Sequence, residues 1–176
     1  SRVLPEIMVR GVTETTSGAI DEAAFDELKD MLDKADSVAI GSGISQDAST
    51  KRFVQKVIEN RRQPTIVDAD ALNLLSPFAA QLHKPAREQE RNTQAELESS
   101  RTGTAPLILT PHEGEFMRLL GIDDKAAIKD RVAAVREFAV KHNVILVLKG
   151  ERVLIGEPGG KVVVNPKGNS GLGKAG

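Results

Sequence analysis

Four short apolar runs of the sequence are each followed by residues that can bind a ligand. The first run ends in a turn with Gly41 and Gly43, the second in Asp68, the third in His112 and the fourth in Lys149. Glycines let a ligand approach the backbone closely, histidine can move a proton, and lysine can bind a phosphate. Open α/β sheets bind ligands beyond the carboxyl ends of their strands, so we expect these residues to share one site.

The segment after the second run carries two carboxylates and an amide within about one helical turn: Asp68, Asp70 and Asn73. Carboxylates in such a place can hold ribose hydroxyls, or a metal ion through water molecules. Asp68 comes directly at the strand end and is the better ligand candidate. For Asp70 we favour capping of the helix that follows, since aspartate is a preferred N-cap residue.

The segment after the third run places His112 in front of two acidic residues. Glu113 and Glu115 suit the first turn of a helix, whose dipole favours negative charge. His112 would then lie at the start of that helix, where it can hydrogen-bond a substrate or carry a proton. The other histidines, His83 and His142, are far away in sequence and are interpreted as structural. We therefore predict no metal site made of histidines.

Residues 165–176 contain four glycines. Such a segment can offer backbone amides to a phosphate or an oxyanion, although a loose terminus is the alternative that the sequence leaves open. It is not a Walker A loop, because no Gly-Lys-Ser/Thr follows at the required spacing.

The order of apolar patterns predicts an α/β protein. Apolar residues with helical spacing alternate with short β-type runs, which is typical of βαβ units with right-handed crossovers. The first four runs are almost continuously apolar, as in parallel strands that are buried on both faces. The last two runs flank a Gly- and Pro-rich turn and predict a hairpin. The predicted strands are 37–40, 65–68, 107–110, 144–148, 153–155 and 162–164, and the predicted helices are 21–34, 49–61 and 125–142. Residues 81–104 are polar, with mixed charges, and predict a surface insertion.

Composition excludes several classes of protein. The chain has 176 residues and 40% apolar residues, which suits a single domain with a core. Its 24 basic and 25 acidic residues, with five Phe and neither Trp nor Tyr, argue against a nucleic-acid-binding protein. Without a long apolar run or any cysteine, it has no predicted membrane span and no thiolate chemistry. We expect a cytoplasmic protein.

Taken together, these segments resemble one family, the ADP/ATP-dependent NAD(P)H-hydrate dehydratases, which form the YjeF C-terminal domain family of the ribokinase-like superfamily. The resemblance implies a three-layer α/β/α ribokinase-like fold with a mainly parallel central sheet. It spans nearly all of residues 1–176 as one domain that lacks part of the family's sequence at both ends. The matching segments are Pro5-Glu6-Ile7-Met8-Val9, Gly41-Ser42-Gly43, Val67-Asp68-Ala69-Asp70-Ala71-Leu72-Asn73, Leu109-Thr110-Pro111-His112-Glu113-Gly114-Glu115-Phe116, Leu148-Lys149-Gly150 and Asn165-Pro166-Lys167-Gly168-Asn169-Ser170-Gly171.

The family's reaction implies two ligands, a hydrated dinucleotide (NADHX or NADPHX) and ATP or ADP. The nucleotide phosphorylates the C6 hydroxyl of the nicotinamide ring, and loss of phosphate restores NADH or NADPH. By resemblance, the residues that would bind the dinucleotide are Gly41, Gly43, Asp68, Asn73 and His112. Those that would bind the nucleotide are Lys149, Gly150, Glu151, Arg152 and Val153, with Asn169, Gly171, Gly173 and Gly176 at the beginning of an anion hole.

The family pattern differs from this sequence at the catalytic base. The base is expected to be the aspartate of a Gly-x-Gly-Asp motif, which we expect beyond Gly176, so no catalytic residue is assigned and the chain alone is expected to be inactive. Mg²⁺ is compatible with phosphoryl transfer, but no residue is assigned as its ligand. We also expect a homo-oligomer and a possible fusion to an NAD(P)HX epimerase domain. The alternatives are a vitamin or sugar kinase of the same superfamily and a non-catalytic nucleotide-binding module.

Overall fold

Six strands form one mixed sheet, in the order β1-β2-β3-β4-β5-β6. The computed structural model describes residues 8–79, 105–123 and 128–165. The strands are β1 (Val38–Ile40), β2 (Thr65–Val67), β3 (Leu107–Leu109), β4 (Ile145–Leu148), β5 (Val153–Gly156) and β6 (Val162–Asn165), and the helices are α1 (Ala24–Lys34), α2 (Ala48–Glu59), α3 (Ala69–Leu74), α4 (Glu113–Leu120) and α5 (Arg131–His142).

The strand pairings confirm the predicted α/β topology. Strands β1, β2, β3 and β4 run parallel to one another. Strand β5 is antiparallel to β4, and β6 is antiparallel to β5, so these last three strands form a meander. The predicted hairpin is the β5–β6 pair. The predicted insertion at residues 81–104 lies outside the described residues. Within the described ranges, no helix is long and apolar enough to cross a membrane.

Helix α5 begins later than its apolar pattern predicts. The prediction started the helix at Lys125, but residues 128–129 are not helical and Arg131 is the first helical residue. The Asp130 carboxylate accepts hydrogen bonds from the backbone N–H groups of Val132 and Ala133, at 2.9 and 3.0 Å. These bonds satisfy two of the unpaired N–H groups at the helix start, so Asp130 sets where the helix begins.

Burial on the two faces of the sheet differs from the prediction. Side chains alternate along the central strands, and one set is fully buried among the helices, including Val67, Leu109 and Leu146. On the opposite face Ile66 remains 38% exposed. Sequential parallel strands with right-handed crossovers place their connecting helices on one side, which explains the asymmetry. The prediction that these strands are buried on both faces is therefore wrong for the described residues, because Ile66 on the second face keeps more than a third of its surface exposed.

Close packing fixes α5 against the sheet and against α4. Gly156 of β5 faces α5, where an added Cβ atom would lie 2.7 Å from Val135 Cγ1 and 3.2 Å from Ala139 Cβ. Phe138 of α5 stacks edge-to-face with Phe116 of α4, with ring centroids 5.5 Å apart. Because interiors are densely packed, these contacts hold the starts of α4 and α5 at the carboxyl ends of β3 and β4.

The asymmetry of the sheet predicts unequal costs for two neighbouring substitutions. Leu109→Ala removes a fully buried side chain and should lower the free energy of unfolding by about 2–5 kcal/mol. Ile108→Ala, on the less buried face of the same strand, should cost clearly less. Urea denaturation of both variants measures the difference. Equal losses would contradict the one-sided packing.

Candidate active site

The ends of β2, β3 and β4 are joined by backbone hydrogen bonds beyond the last paired residue of each strand. In each bond, the residue after a strand donates its N–H to a carbonyl of the strand or turn beside it. The bonds run from Asp68 to Ile40 (3.0 Å), from Thr110 to Val67 (3.1 Å) and from Lys149 to Pro111 (2.8 Å). The turns that carry the candidate residues therefore lie side by side at one edge of the sheet, as predicted.

An ion pair joins two of the predicted site residues. Lys149 Nζ lies 2.8 Å from Asp68 Oδ1 and donates a hydrogen bond to it, and both side chains are about one third exposed. The two residues follow β4 and β2, so their side chains meet across the end of β3. Partly exposed pairs of this kind contribute about 0–1 kcal/mol to stability. The main effect of the pair is to orient both side chains while leaving them accessible to a ligand.

Asp70 does not cap α3, and that prediction is wrong. Asp68 occupies the N-cap position, although its side chain makes no capping bond, and Asp70 lies in the first turn. The Asp70 carboxylate instead accepts the backbone N–H of Ser45 at 3.3 Å and the side-chain amide of Gln46 at 3.5 Å. Asp70 therefore connects the turn after β1 to the start of α3.

The two glycines after β1 are needed for different reasons. Gly41 has φ +145°, and an added Cβ atom would lie 1.8 Å from the carbonyl oxygen of Asp68. The fold itself requires glycine there. Gly43 has φ +71°, with no atom within 4 Å of an added Cβ atom, so the space beside it is open. The role of both glycines in ligand approach stays a prediction.

His112 is both the N-cap of α4 and a partly exposed residue of the site edge. Its Nδ1 accepts the backbone N–H groups of Gly114 (3.0 Å) and Glu115 (3.3 Å), and the Glu115 carboxylate accepts the His112 N–H at 2.8 Å. This reciprocal arrangement is a capping box. Its Nε2 lies 3.6 Å from Glu115 Oε1, and the side chain is 51% exposed, so this edge of the ring is accessible to a ligand.

Asn73 is tied to α4 by a side-chain hydrogen bond. Its Oδ1 atom accepts a bond from Arg118 Nε at 2.9 Å. The bond connects α3 to α4. The predicted contact of Asn73 with a ligand is not tested by this arrangement.

The predicted nucleotide segment forms the turn between β4 and β5. Gly150 packs against Arg131, whose Nη2 would lie 2.9 Å from an added Cβ atom. Glu151 and Arg152 are exposed, and Val153 begins β5. Asn169, Gly171, Gly173 and Gly176 lie outside the described residues.

Arg131 was not predicted as a residue of this edge. It is also within 3.2 Å of Glu113 Oε1, so it lies between the start of α4 and the turn after β4. The helix predicted over 125–142 contains Arg131 in its interior and not at its start, so the available signal was only Asp130, a residue type that commonly caps helices, directly before it. Helix starts in such units lie at the ligand-binding edge.

Comparisons with known proteins agree on one family. The family model described as NAD(P)H-hydrate dehydratase matches residues 1–176. The "Bifunctional NAD(P)H-hydrate repair enzyme Nnr" of Moorella thermoacetica is 37% identical over 172 residues, covering 97% of this chain and 29% of that protein. The crystal structure of the ADP/ATP-dependent NAD(P)H-hydrate dehydratase from Bacillus subtilis, co-crystallized with ATP/Mg²⁺, matches with 26% identity and a TM-score of 0.57, covering 90% of this chain and 55% of that one.

The fold is shared more widely. A ribokinase-like superfamily protein from Enterococcus faecalis, 22% identical, gives a TM-score of 0.61 over 91% of this chain and 50% of that one. The chain therefore has a ribokinase-like α/β fold, and it belongs to the NAD(P)H-hydrate dehydratase family. It spans less than two thirds of the length of each of these relatives.

Two glycine substitutions separate steric need from backbone strain. Gly41→Ala places a Cβ atom on the Asp68 carbonyl, which requires a backbone shift, so we expect a loss of more than about 3 kcal/mol of stability. Gly43→Ala meets no atom and should cost only the left-handed strain, about 1–2 kcal/mol. Thermal or urea unfolding measures both. Similar losses in the two variants would contradict the close approach of Asp68 to Gly41.

Proposed function

We propose that the intact protein is a nucleotide-dependent NAD(P)H-hydrate dehydratase. It transfers the terminal phosphoryl group of ATP or ADP to the C6 hydroxyl of NADHX or NADPHX. The C6–O bond then breaks, inorganic phosphate leaves, and the neighbouring ring carbon loses a proton to solvent, so that the ring regains its double bond. The observation that carries this proposal is the family match over residues 1–176. The joining of the predicted dinucleotide and nucleotide segments at one sheet edge supports it.

Different residues of this edge would bind the dinucleotide and the nucleotide. His112 Nε2 and the open turn at Gly43 would contact the hydrated dinucleotide, where a neutral imidazole can donate to an oxygen. Lys149 would bind a nucleotide phosphate, and the Asp68 carboxylate keeps the lysine side chain aimed at the sheet edge. The Pro111 carbonyl, bonded to the Lys149 N–H, holds the two turns at a fixed separation. Such preorganised positioning is the main contribution that a protein makes to phosphoryl transfer.

At this edge, Mg²⁺ would be held largely by the phosphates of the bound nucleotide. Within the described ranges no three His, Asp or Glu side chains form a group that could hold a metal ion. Mg²⁺ is commonly bound by substrate phosphates with one or two carboxylates, and Asp68 and Asp70 are the acidic side chains after β2. The ion would neutralise phosphate charge when it is bound. The proposal keeps a homo-oligomer and a linked epimerase domain as predictions, and the bifunctional relative supports the second.

The decisive experiment follows the recovery of NADH. The intact protein is incubated with NADHX and either ATP or ADP, and NADH absorbance and released phosphate are measured together. We expect both to rise in equal amounts, and only when a nucleotide is present. A stable phosphorylated product would favour the small-molecule kinase, and nucleotide binding without turnover would favour the non-catalytic module. Either result would overturn the dehydratase proposal.

Two substitutions at His112 separate its capping role from its role in ligand binding. His112→Ala should lose about 1 kcal/mol of stability with the cap and also weaken dinucleotide binding. His112→Asn keeps a side chain that caps well but removes Nε2, so we expect near-normal stability with a raised KM for NADHX. Thermal unfolding and steady-state kinetics test both variants. Normal KM in His112→Asn would show that His112 acts only as a cap.

A further inference from the structure

We propose that Arg131 is a second cation of the nucleotide-phosphate subsite, acting beside Lys149. The inference deepens the proposed function and rests on it for the identity of the nucleotide. Neither the resemblance nor the sequence pattern assigned any role to this arginine.

The position of Arg131 is set by three elements. It is the first residue of α5, which follows the Asp130 cap and leads into β4. Its guanidinium packs on Gly150, where any Cβ atom would lie 2.9 Å from Nη2. Gly150 directly follows Lys149, so the guanidinium borders the turn that is predicted to bind phosphates. A larger residue at position 150 would make the guanidinium move aside.

The guanidinium has donors without acceptors. Its Nε and Nη2 atoms are buried, and neither has a hydrogen-bond partner among the described residues. Nη2 lies 3.2 Å from Glu113 Oε1, within ion-pair range but without hydrogen-bond alignment. Buried donors that lack an acceptor are costly and uncommon in native proteins. Such donors indicate a site that is completed by a ligand.

The surroundings favour an anion as that ligand. A cavity of about 80 Å³ lies beside the guanidinium; its walls are mostly apolar, with Phe116, Met117 and Leu148, and also include Glu113, which a bound anion would have to displace. Charge interactions are stronger against such apolar walls than in water. The planar guanidinium matches the geometry of phosphate oxygens, and the side chain keeps 34% of its surface exposed to a ligand.

Glu113 is the carboxylate that a phosphate would displace from Arg131. Its side chain is 48% exposed, so it can turn toward water at little cost when a phosphate takes its place. Removing the Glu113 carboxylate therefore distinguishes two roles of Arg131. If Arg131 works through Glu113 as a structural link, loss of the carboxylate harms the site. If Arg131 binds phosphate, loss of the carboxylate leaves the affinity intact or raises it.

The test measures equilibrium binding of ADP, adenosine and inorganic pyrophosphate to the intact protein by calorimetry. Arg131→Gln should weaken ADP and pyrophosphate about 10- to 100-fold, the range for a hydrogen bond to a charged group. Adenosine, which lacks phosphate, should bind as it does to the unchanged protein. Arg136→Gln is the matched control, because Arg136 lies on the same helix and donates instead to the Gly160 carbonyl at the β5–β6 turn. It should leave all three affinities unchanged.

Two further variants show whether a loss of ADP binding comes from the phosphate contact or from misfolding. Glu113→Gln should bind ADP at least as tightly as the unchanged protein. Gly150→Ala pushes the guanidinium away without removing it, and it should weaken ADP binding, with little added effect in an Arg131→Gln background. Thermal unfolding of each variant accompanies the binding data.

Every outcome bears on the proposal. Equal ADP affinity in Arg131→Gln and Arg136→Gln overturns it, as does weaker binding in Glu113→Gln or the absence of ADP and pyrophosphate binding in the unchanged protein. Loss of phosphate-dependent binding in Arg131→Gln alone supports it. If the unchanged protein binds ADP but does not restore NADH, the dehydratase proposal fails while the phosphate subsite stands.

Discussion

The site depends on the register of three parallel strands. Residues Ile40, Val67 and Leu109 are paired in register across β1, β2 and β3, and the chain leaves each strand directly afterwards. The backbone bonds that follow continue this order into the turns. A slip of one residue in any strand would turn its side chains to the other face and move its turn by about 3.3 Å. Together with β4, which pairs with β3, the ladder brings together groups far apart in sequence, such as Asp68 and Lys149, which are 81 residues apart.

The fold could be predicted to the extent that local chemistry determined it. Short runs of Val, Ile and Leu between glycine, proline and acidic residues predicted all six strands, and the β5–β6 turn was evident from its composition. Two errors have a common physical origin. The start of α5 and the cap of α3 both depend on where an extended segment stops, and in each case the N-cap is an aspartate that the sequence analysis did not select, Asp130 and Asp68. Asp68 keeps extended dihedral angles, and Ala69 then adopts φ +49°, a backbone conformation that residue type alone did not indicate. Apolar runs also could not show that, within the described residues, Ile66 on one face of the sheet stays partly exposed.

The candidate site could be predicted by residue type and sheet edge, but not by side-chain partner. His112 and Lys149 were found because strand ends in open α/β sheets bind ligands. The Asp68–Lys149 pair could not be predicted, because no sequence pattern indicates a contact between two side chains on either side of β3. Arg131 escaped notice because a single arginine in a charged helix is usually a surface residue. Only the packing against Gly150 and the lack of acceptors mark it as different.

Charge balance at the sheet edge gives a reason for a second cation beside Lys149. Lys149 is paired at 2.8 Å with Asp68, so an approaching phosphate meets a negative charge beside the positive one. Arg131 differs because its carboxylate partner, Glu113, makes no aligned hydrogen bond with it and is half exposed. Arg131 is therefore the cation of this pair of cations whose partner a phosphate would displace more easily. In the proposed subsite, the aligned Lys149–Asp68 pair would provide position and Arg131 would add positive charge.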